Sequence, residues 1–598
     1  MTQRIGRFRR GTLGGLGVLL LAALGCAGVR GQGGDDASRS GSGGSGGGPG
    51  SLSGSGGTVV GGGTGGAGGT YVRKPRGPLG PWGGVIVDPG APANAPTMFG
   101  GADTTAGGPK IVYPLDDSMH PVNIADIAIQ WQAPAAAAVD GVYRMRFQNA
   151  RGTMDVFVAC KVAECTYQVP IATWLTIADA NPDADVAMTI SLAGAQVRSS
   201  APIKLHFSPD DVAGGLYYWS TGDRKIYRLV FGQQKAQPYN PAAGQGEEPY
   251  CVGCHSVSRN GRRIALVDMS ADSFTTSDHA WFTSPTDVSG QAKRTVGPLS
   301  PPAISPDGSK ILIPTPFDLR LYDAVTSALI GKVNPAFVQG KVALFPEWSP
   351  DSKEIAITIG KDSTLRPQPP PPGPGEVRPT YQFKMGQDSE IAVLPYNDGN
   401  FGPARIVVPA GPDFNYYPSW SPDGKWIVFS SAPLVTAGVV YGTYDNPGAR
   451  LRLVSAAGGK VYELGRATQG TGKGTSWPKV APFSQAGGQV MFVGYNATID
   501  YGFVHQGGHL AANKGRPGPN PRVTQLWFAA IDLRRLGEGD PSWAPIWLPF
   551  QYPQTSNHIP YWTELLGCTK DIECGPRGTC ITKPGADRRE CDVQPVVP

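Results

Sequence analysis

From about residue 110 to 209 the chain alternates apolar and polar positions almost strictly. Ile127, Ile129 and Trp131 share one strand face, as do Tyr143, Met145 and Phe147; Val186, Met188, Ile190 and Leu192 make a third set, and Ile203, Leu205 and Phe207 a fourth. Period-2 runs of this length, cut by Gly, Asn, Asp and Pro, predict half-buried strands packed face to face. Val156-Phe157-Val158-Ala159-Cys160 and Cys165-Thr166-Tyr167-Gln168-Val169 read as the arms of a hairpin, with a disulfide between Cys160 and Cys165 stapling its tip.

A second pattern follows from 214 to 563. Phe345-Pro346-Glu347-Trp348-Ser349-Pro350-Asp351 is echoed by Tyr417-Pro418-Ser419-Trp420-Ser421-Pro422-Asp423-Gly424 and by Pro302-Ala303-Ile304-Ser305-Pro306-Asp307-Gly308. Each copy runs into a β-branched or aromatic stretch such as Ile311-Leu312-Ile313, Ile355-Ala356-Ile357 or Trp426-Ile427-Val428-Phe429. Asp and Gly supply a tight turn, Pro fixes how the chain enters it, and the flanking apolar residues bury two adjacent strands. Degenerate copies stand at Ser476-Trp477-Pro478 and Ile559-Pro560-Tyr561-Trp562, and a further copy at Ser256-Val257-Ser258-Arg259-Asn260-Gly261. The turn residues Asn260, Asp307 and Asp351 are spaced by 47 and then 44, the period of four-stranded propeller blades. Six copies predict six blades, the last completed by Leu216-Tyr217-Tyr218-Trp219 and Lys225-Ile226-Tyr227-Arg228-Leu229-Val230-Phe231 so that no long edge stays open.

The expected fold class is therefore all-β. A β-sandwich of immunoglobulin or fibronectin III style over 109–209 precedes a six-bladed propeller over 214–563. On the three near-complete Ser-Pro-Asp copies, the repeat resembles the TolB-type, WD40-like propeller repeat (PD40). The sandwich gathers no chemistry and reads as a spacer or adhesive module.

Composition changes the picture at both ends. Arg4, Arg7, Arg9 and Arg10 precede a short apolar run over 13–24 that ends in Ala22-Ala23-Leu24-Gly25-Cys26, the order of an export signal. Its last residues resemble a bacterial lipobox. That resemblance implies a signal peptide over 1–26, a lipid anchor on Cys26, and a membrane partner in the bacterial cell envelope. Residues 27–108 read as a Gly/Ser/Pro-rich tether. Within it, Gly43-Gly44-Ser45-Gly46-Gly47 matches a nucleophile elbow formally but lacks the strand and helix the elbow needs. At the other end, 566–598 holds Cys568, Cys574, Cys580 and Cys591 with almost no apolar content. Two disulfides in one of three pairings are expected there, a zinc site being the alternative. With Cys26 set aside, an even number of cysteines in local groups fits an oxidising compartment. The net charge of +5 is scattered over 598 residues, which leaves no footprint for nucleic acid.

The candidate chemistry is Cys251-Val252-Gly253-Cys254-His255, a c-type haem attachment pattern directly before the first repeat. Exported envelope propellers resembling this one carry such a motif at that place. The haem reading assigns Cys251 and Cys254 to thioether bonds and His255 to the iron as proximal ligand, with haem c as cofactor and a redox partner. Aligning the repeats sets His255 in the slot of Pro302, Pro346 and Pro418, where each innermost strand is expected to begin at one mouth of the channel. The long loops over 361–380, 430–450 and 497–522 are expected at that same mouth, marking the working face. His558 and Met269 are the distal candidates, ahead of His505 and His509 and of the less placeable His279. The reading thus favours electron transfer or haem-assisted ligand binding. Its alternative is a haem-free scaffold for another envelope protein or a glycan, with Cys251 and Cys254 joined as a disulfide. No Ser-His-Asp set, HExxH or P-loop points to an enzyme.

Overall fold

The computed structural model describes residues 81–134, 141–212, 214–239 except 221, 222, 224 and 232–234, 252–268 except 262, 279–283, 301–360 except 316 and 317, 388–433, 443, 446–469, 474–504, 524–564 except 554, 578–582 and 589–593. Cys26, Cys251, Met269, His505, His509, Cys568 and Cys574 lie outside these residues, as do most of the tether and most of the three long loops.

The N-terminal region holds an eight-stranded and a three-stranded sheet. Its alternating positions are buried as their period demands: Tyr143, Met145, Phe147, Val186, Met188 and Ile190 are fully enclosed, with Ile129 and Trp131 beside them. Four features depart from the expectation. Ordered structure begins well before 109, with the strand Trp82–Val87 laid parallel on Gly152–Cys160. That approach depends on glycine: a Cβ at Gly152 would fall 1.9 Å from the Trp82 carbonyl oxygen, and one at Gly83 would fall 2.0 Å from that of Thr153. Further parallel pairs join Ser118–His120 to Ile203–Phe207 and Asp103–Thr104 to Val197–Ser199. They distinguish the large sheet from the antiparallel sheets of an immunoglobulin-type sandwich. A helix, α1 (Ile171–Ala180), follows Pro170 and buries Trp174, Ile177 and Ala178. Those residues have helical i, i+3, i+4 spacing inside a stretch read for period 2.

The fourth departure concerns the disulfide, which does form between Cys160 and Cys165. It does not staple a hairpin. Gly152–Cys160 belongs to the large sheet and Glu164–Gln168 pairs with Ala128–Gln132 in the small one. The bridge therefore ties the turn by which the chain changes sheets.

Six small sheets follow. Their innermost strands are β1 (Val252–Val257), β2 (Ala303–Ile304), β3 (Val342–Trp348), β4 (Asp413–Trp420), β5 (Ser476–Gln485) and β6 (Asn557–Thr563). Each opens an antiparallel sheet whose later strands follow in chain order, except that β6 pairs back onto Gly215–Ser220. The innermost strands touch in sequence from β1 to β6, and β6 touches β1. The cycle is closed by its first and last strands in one sheet.

The turn after each innermost strand explains the repeat. Ser258, Ser305, Ser349 and Ser421 each donate a hydroxyl hydrogen bond to the residue two further on, Asn260, Asp307, Asp351 and Asp423, at 2.5–2.9 Å. The same oxygens accept the backbone N–H of Arg263, Lys310, Glu354 and Trp426, each at 2.9 Å. The last turn residue has positive φ, which glycine at 261, 308 and 424 adopts without strain. Ser and Asp are thus structural at these places, holding the hairpin turn closed.

The N-terminal region is not an independent spacer. Its aromatic core is continuous with Val428, Leu451, Leu453, Met491, Val493 and Trp527 of the sheets led by β4 and β5. Across the same junction Arg534 pairs with Asp183 at 2.9 Å, Arg535 with Asp117 at 3.1 Å, and Gln130 accepts the Phe503 N–H at 2.6 Å.

Candidate functional site

The innermost strands share an irregularity that sets the geometry of the channel. In β3 the register passes from Leu344 opposite Thr358 to Glu347 opposite Ala356, so Phe345 and Pro346 together face one residue. Tyr417-Pro418 in β4, Trp477-Pro478 in β5 and Ile559-Pro560 in β6 do the same. The first residue of each pair has φ between 52° and 55°. These are β-bulges, and a bulge leaves one position unpaired, so proline without its N–H is tolerated inside the strand. In β1 the skipped pair is Cys254-His255, between Gly253 opposite Val267 and Ser256 opposite Ala265.

The repeat alignment thus holds at residue level, but the slot is the start of a strand only in β2, which Pro302 directly precedes. Pro346, Pro418, Pro478 and Pro560 stand inside their strands, and so does His255. Instead of facing an open mouth, His255 is 0% exposed. Its Nε2 lies 3.3 Å from the Tyr217 carbonyl oxygen, and its ring stands edge-on to Tyr561 at 5.5 Å. Burial pulls its pKa down to about 3, so the ring is neutral at physiological pH. Among the described residues its Nδ1 has no hydrogen-bond partner. A haem iron needs a ring nitrogen free on an open side, with room for the porphyrin. This packing provides neither, and the described His255 does not fit the group.

The other candidates are dispersed. His558 is buried on β6, its ring within 3.1 Å of the Thr524 hydroxyl and 5.8 Å from the Trp219 ring; burial also brings it to about 3. Cys254 is described only as backbone within β1, and the side chain of His279 lies outside the described residues. In the tail, Gly578–Thr582 pairs with Arg589–Val593, setting Cys580 opposite Cys591 in the backbone register, and Cys580 is disulfide-bonded. Among the described residues there is no group of three or more His, Cys, Asp or Glu that could hold a metal ion.

What the ring does bring together is the residue after each bulge, Ser256, Glu347, Ser419, Lys479 and Tyr561, with Ala303 at the matching place in β2. The Lys479 ammonium pairs with Glu347 at 2.5 Å, across the channel from β5 to β3. It also lies 4.1 Å from the centre of the Tyr561 ring. The Tyr561 hydroxyl interacts with both Lys479 and Ser256. Ser256 in turn accepts the Ile304 N–H at 3.3 Å, and Ser419 accepts the Val480 N–H at 3.0 Å. The result is a polar girdle touching all six innermost strands. Lys479 is only 6% exposed. Burial alone would lower its pKa, but the Glu347 carboxylate and the Tyr561 oxygen outweigh that and raise it. Lys479 is therefore a cation at neutral pH. Tyr561 is raised by burial and stays protonated.

A cavity opens on one side of this girdle. Its walls are Ser256, Val257 and Arg259 of β1, matching residues of β2, β3, β5 and β6, and Trp348, Trp420 and Trp562; its volume is about 60 Å³. All its lining lies between the girdle and the Ser-Asp turns. On the opposite side the first bulge residues converge, with Tyr417 stacked on Trp477 at 3.8 Å and Phe345 against Tyr417 at 4.4 Å. The described opening is therefore at the turn end, not on the loop-bearing side expected from the repeats. Glu347, Lys479 and Tyr561 are not among the site residues expected from the sequence. The signal that could have found them is charge in a slot that other copies fill with Ser256, Ala303 and Ser419.

No protein-family model matches the chain, and no curated protein matches it in sequence. Solved structures similar to it include a putative TolB from Agrobacterium tumefaciens, at 15% identity over 58% of this chain and 96% of that one, with a TM-score of 0.29. The nidogen/laminin complex is similar at 12% identity, covering 58% of this chain and 97% of that one, TM-score 0.31. Hydrazine synthase of Kuenenia stuttgartiensis follows at 13%, over 55% and 72%, TM-score 0.26.

Proposed function

We propose that this protein is a tethered lipoprotein of the bacterial cell envelope whose six sheets form a six-bladed, TolB-like β-propeller. The propeller works as a haem-free binding scaffold, with its ligand taken at the turn-end cavity. The single observation that carries this reading is the pairing of an enclosed His255 with an open cavity one residue further along the same strands. Six innermost strands in a closed cycle support six blades, since closure removes exposed edges. The Cys160–Cys165 bridge supports an oxidising compartment. Lipid anchoring at Cys26 rests on its resemblance to a lipobox, and in this reading Cys251 and Cys254 form a disulfide.

Covalent haem is the second reading, and Cys251-Val252-Gly253-Cys254-His255 itself favours it. It requires His255 to leave the packing against Tyr217 and Tyr561. Expression with a haem-attachment system, a pyridine haemochrome spectrum and the mass of the peptide spanning Cys251 and Cys254 separate the two. The scaffold reading expects no absorbance beyond that of a Cys254→Ser control and a peptide lighter by two hydrogens. A haem spectrum with a matching mass increase would replace it by the haem reading.

A further inference from the structure

The cavity has an unusual floor for a propeller channel that needs only to be filled. Its slot is occupied by Ser256, Ala303 and Ser419 in three strands, so the fold itself does not require charge there. A buried ion pair is seldom more stabilising than apolar residues of like volume. Lys479 and Glu347 nevertheless meet there, with the Glu347 side chain 20% exposed. Nearer the turns, Arg259 lines the cavity and pairs with Glu564 at 2.6 Å, while also donating to the Pro482 carbonyl oxygen. Glu347, Lys479 and Arg259 thus line one opening while Glu564 balances Arg259 from outside the lining, and the four groups sum to zero formal charge.

That balance selects the ligand. A net-charged ligand would leave one charge uncompensated in a partly dry site, and a neutral one would supply no counter-charge to either member of a pair it opened. A small molecule with one ammonium and one carboxylate leaves every charge paired. We infer that the turn-end cavity binds a small zwitterion of the amino-acid class, its ammonium on Glu347 and its carboxylate on Lys479 or Arg259. The ligand opens the Lys479–Glu347 pair and replaces it with two pairs of its own. Three tryptophans and Tyr561 make part of the wall apolar.

This inference rests on the scaffold reading, and the two fail separately because the haem spectrum does not depend on the cavity. The test is calorimetric titration of the exported protein with the twenty free amino acids, followed by the N-acetyl and amide forms of whichever binds most tightly. The expected result is sub-millimolar binding of at least one free amino acid, weakened at least tenfold by removing either charge. The Glu347→Leu/Lys479→Met double variant, whose fold is checked by circular dichroism and urea unfolding, should lose the binding. No binding by any of the twenty at 10 mM overturns the inference, in line with the weakest affinities such contacts give. So does an N-acetyl or amide form that binds as well as the free amino acid, or a folded double variant that binds unchanged.

Discussion

His255 and Ser256 are neighbours on one strand, yet they belong to different worlds. The first is sealed between β6 and the strand Gly215–Ser220; the second lines an open cavity with Lys479 and Glu347. A bulge sets the boundary. It turns one residue out of the ladder and hands the next to the channel, and the same step recurs in β3, β4, β5 and β6. A motif that looks like one unit in sequence is therefore divided between two environments by backbone geometry.

The comparison is broken most severely at the girdle. Lys479→Met leaves Glu347 facing Tyr561 without its cation, and unfolding in urea should show a loss of roughly 3–5 kcal/mol. Adding Glu347→Leu should recover most of it; no recovery would mean that the two side chains do not act as a pair. Next comes the bulge. Ser256→Pro puts proline at a position paired with Ala265 in the ladder and removes the hydroxyl that accepts the Ile304 N–H, and should be destabilising by about 3 kcal/mol. His255→Pro places in the slot the residue that four other strands carry, and should be milder by about 2 kcal/mol despite the smaller ring. Equal losses would refute the shared register.

A pH series sharpens the other side. His255 stays neutral when folded because burial holds its pKa near 3, whereas the unfolded chain takes up a proton below about pH 6.5. The unfolded state binds more protons in that window, so stability falls as the pH is lowered below about 6.5, by about 1.4 kcal/mol per unit for one such histidine. His120 and His558 add to the slope, being lowered to about 3 by burial in the same way. His255→Leu should flatten the dependence of the urea midpoint between pH 6.5 and 5 by one histidine's share. An unchanged slope would mean that the ring is not enclosed. The smallest effect is at the turns: Ser349→Ala should cost about 1 kcal/mol in the same assay, the worth of one hydrogen-bonded hydroxyl.

What could be read from sequence follows the range of the forces involved. Ser305, Ser349 and Ser421 announce themselves because the turn they close spans a few residues. The slot of His255 was readable too, since alignment of the repeats needs no third dimension. Its enclosure was not, because Tyr217 reaches it only after the chain has closed the ring. Lys479 and Glu347 are 132 residues apart and meet only across the assembled channel. Helix α1 was missed for another reason: Trp174 and Ile177 fit a helix, but strands on both sides set the expected period.

The parallel strand Trp82–Val87 gives the fold a mechanical character. A pull on the chain ahead of Trp82, directed along the strand, loads all six of its paired residues together in shear, rather than peeling them off one by one. Rupture then demands that several hydrogen bonds fail at once, so the attachment resists steady drag far better than an unzipping hairpin of equal bond number. Gly83 and Gly152, by letting the two backbones lie so close, act as the grip of that clamp.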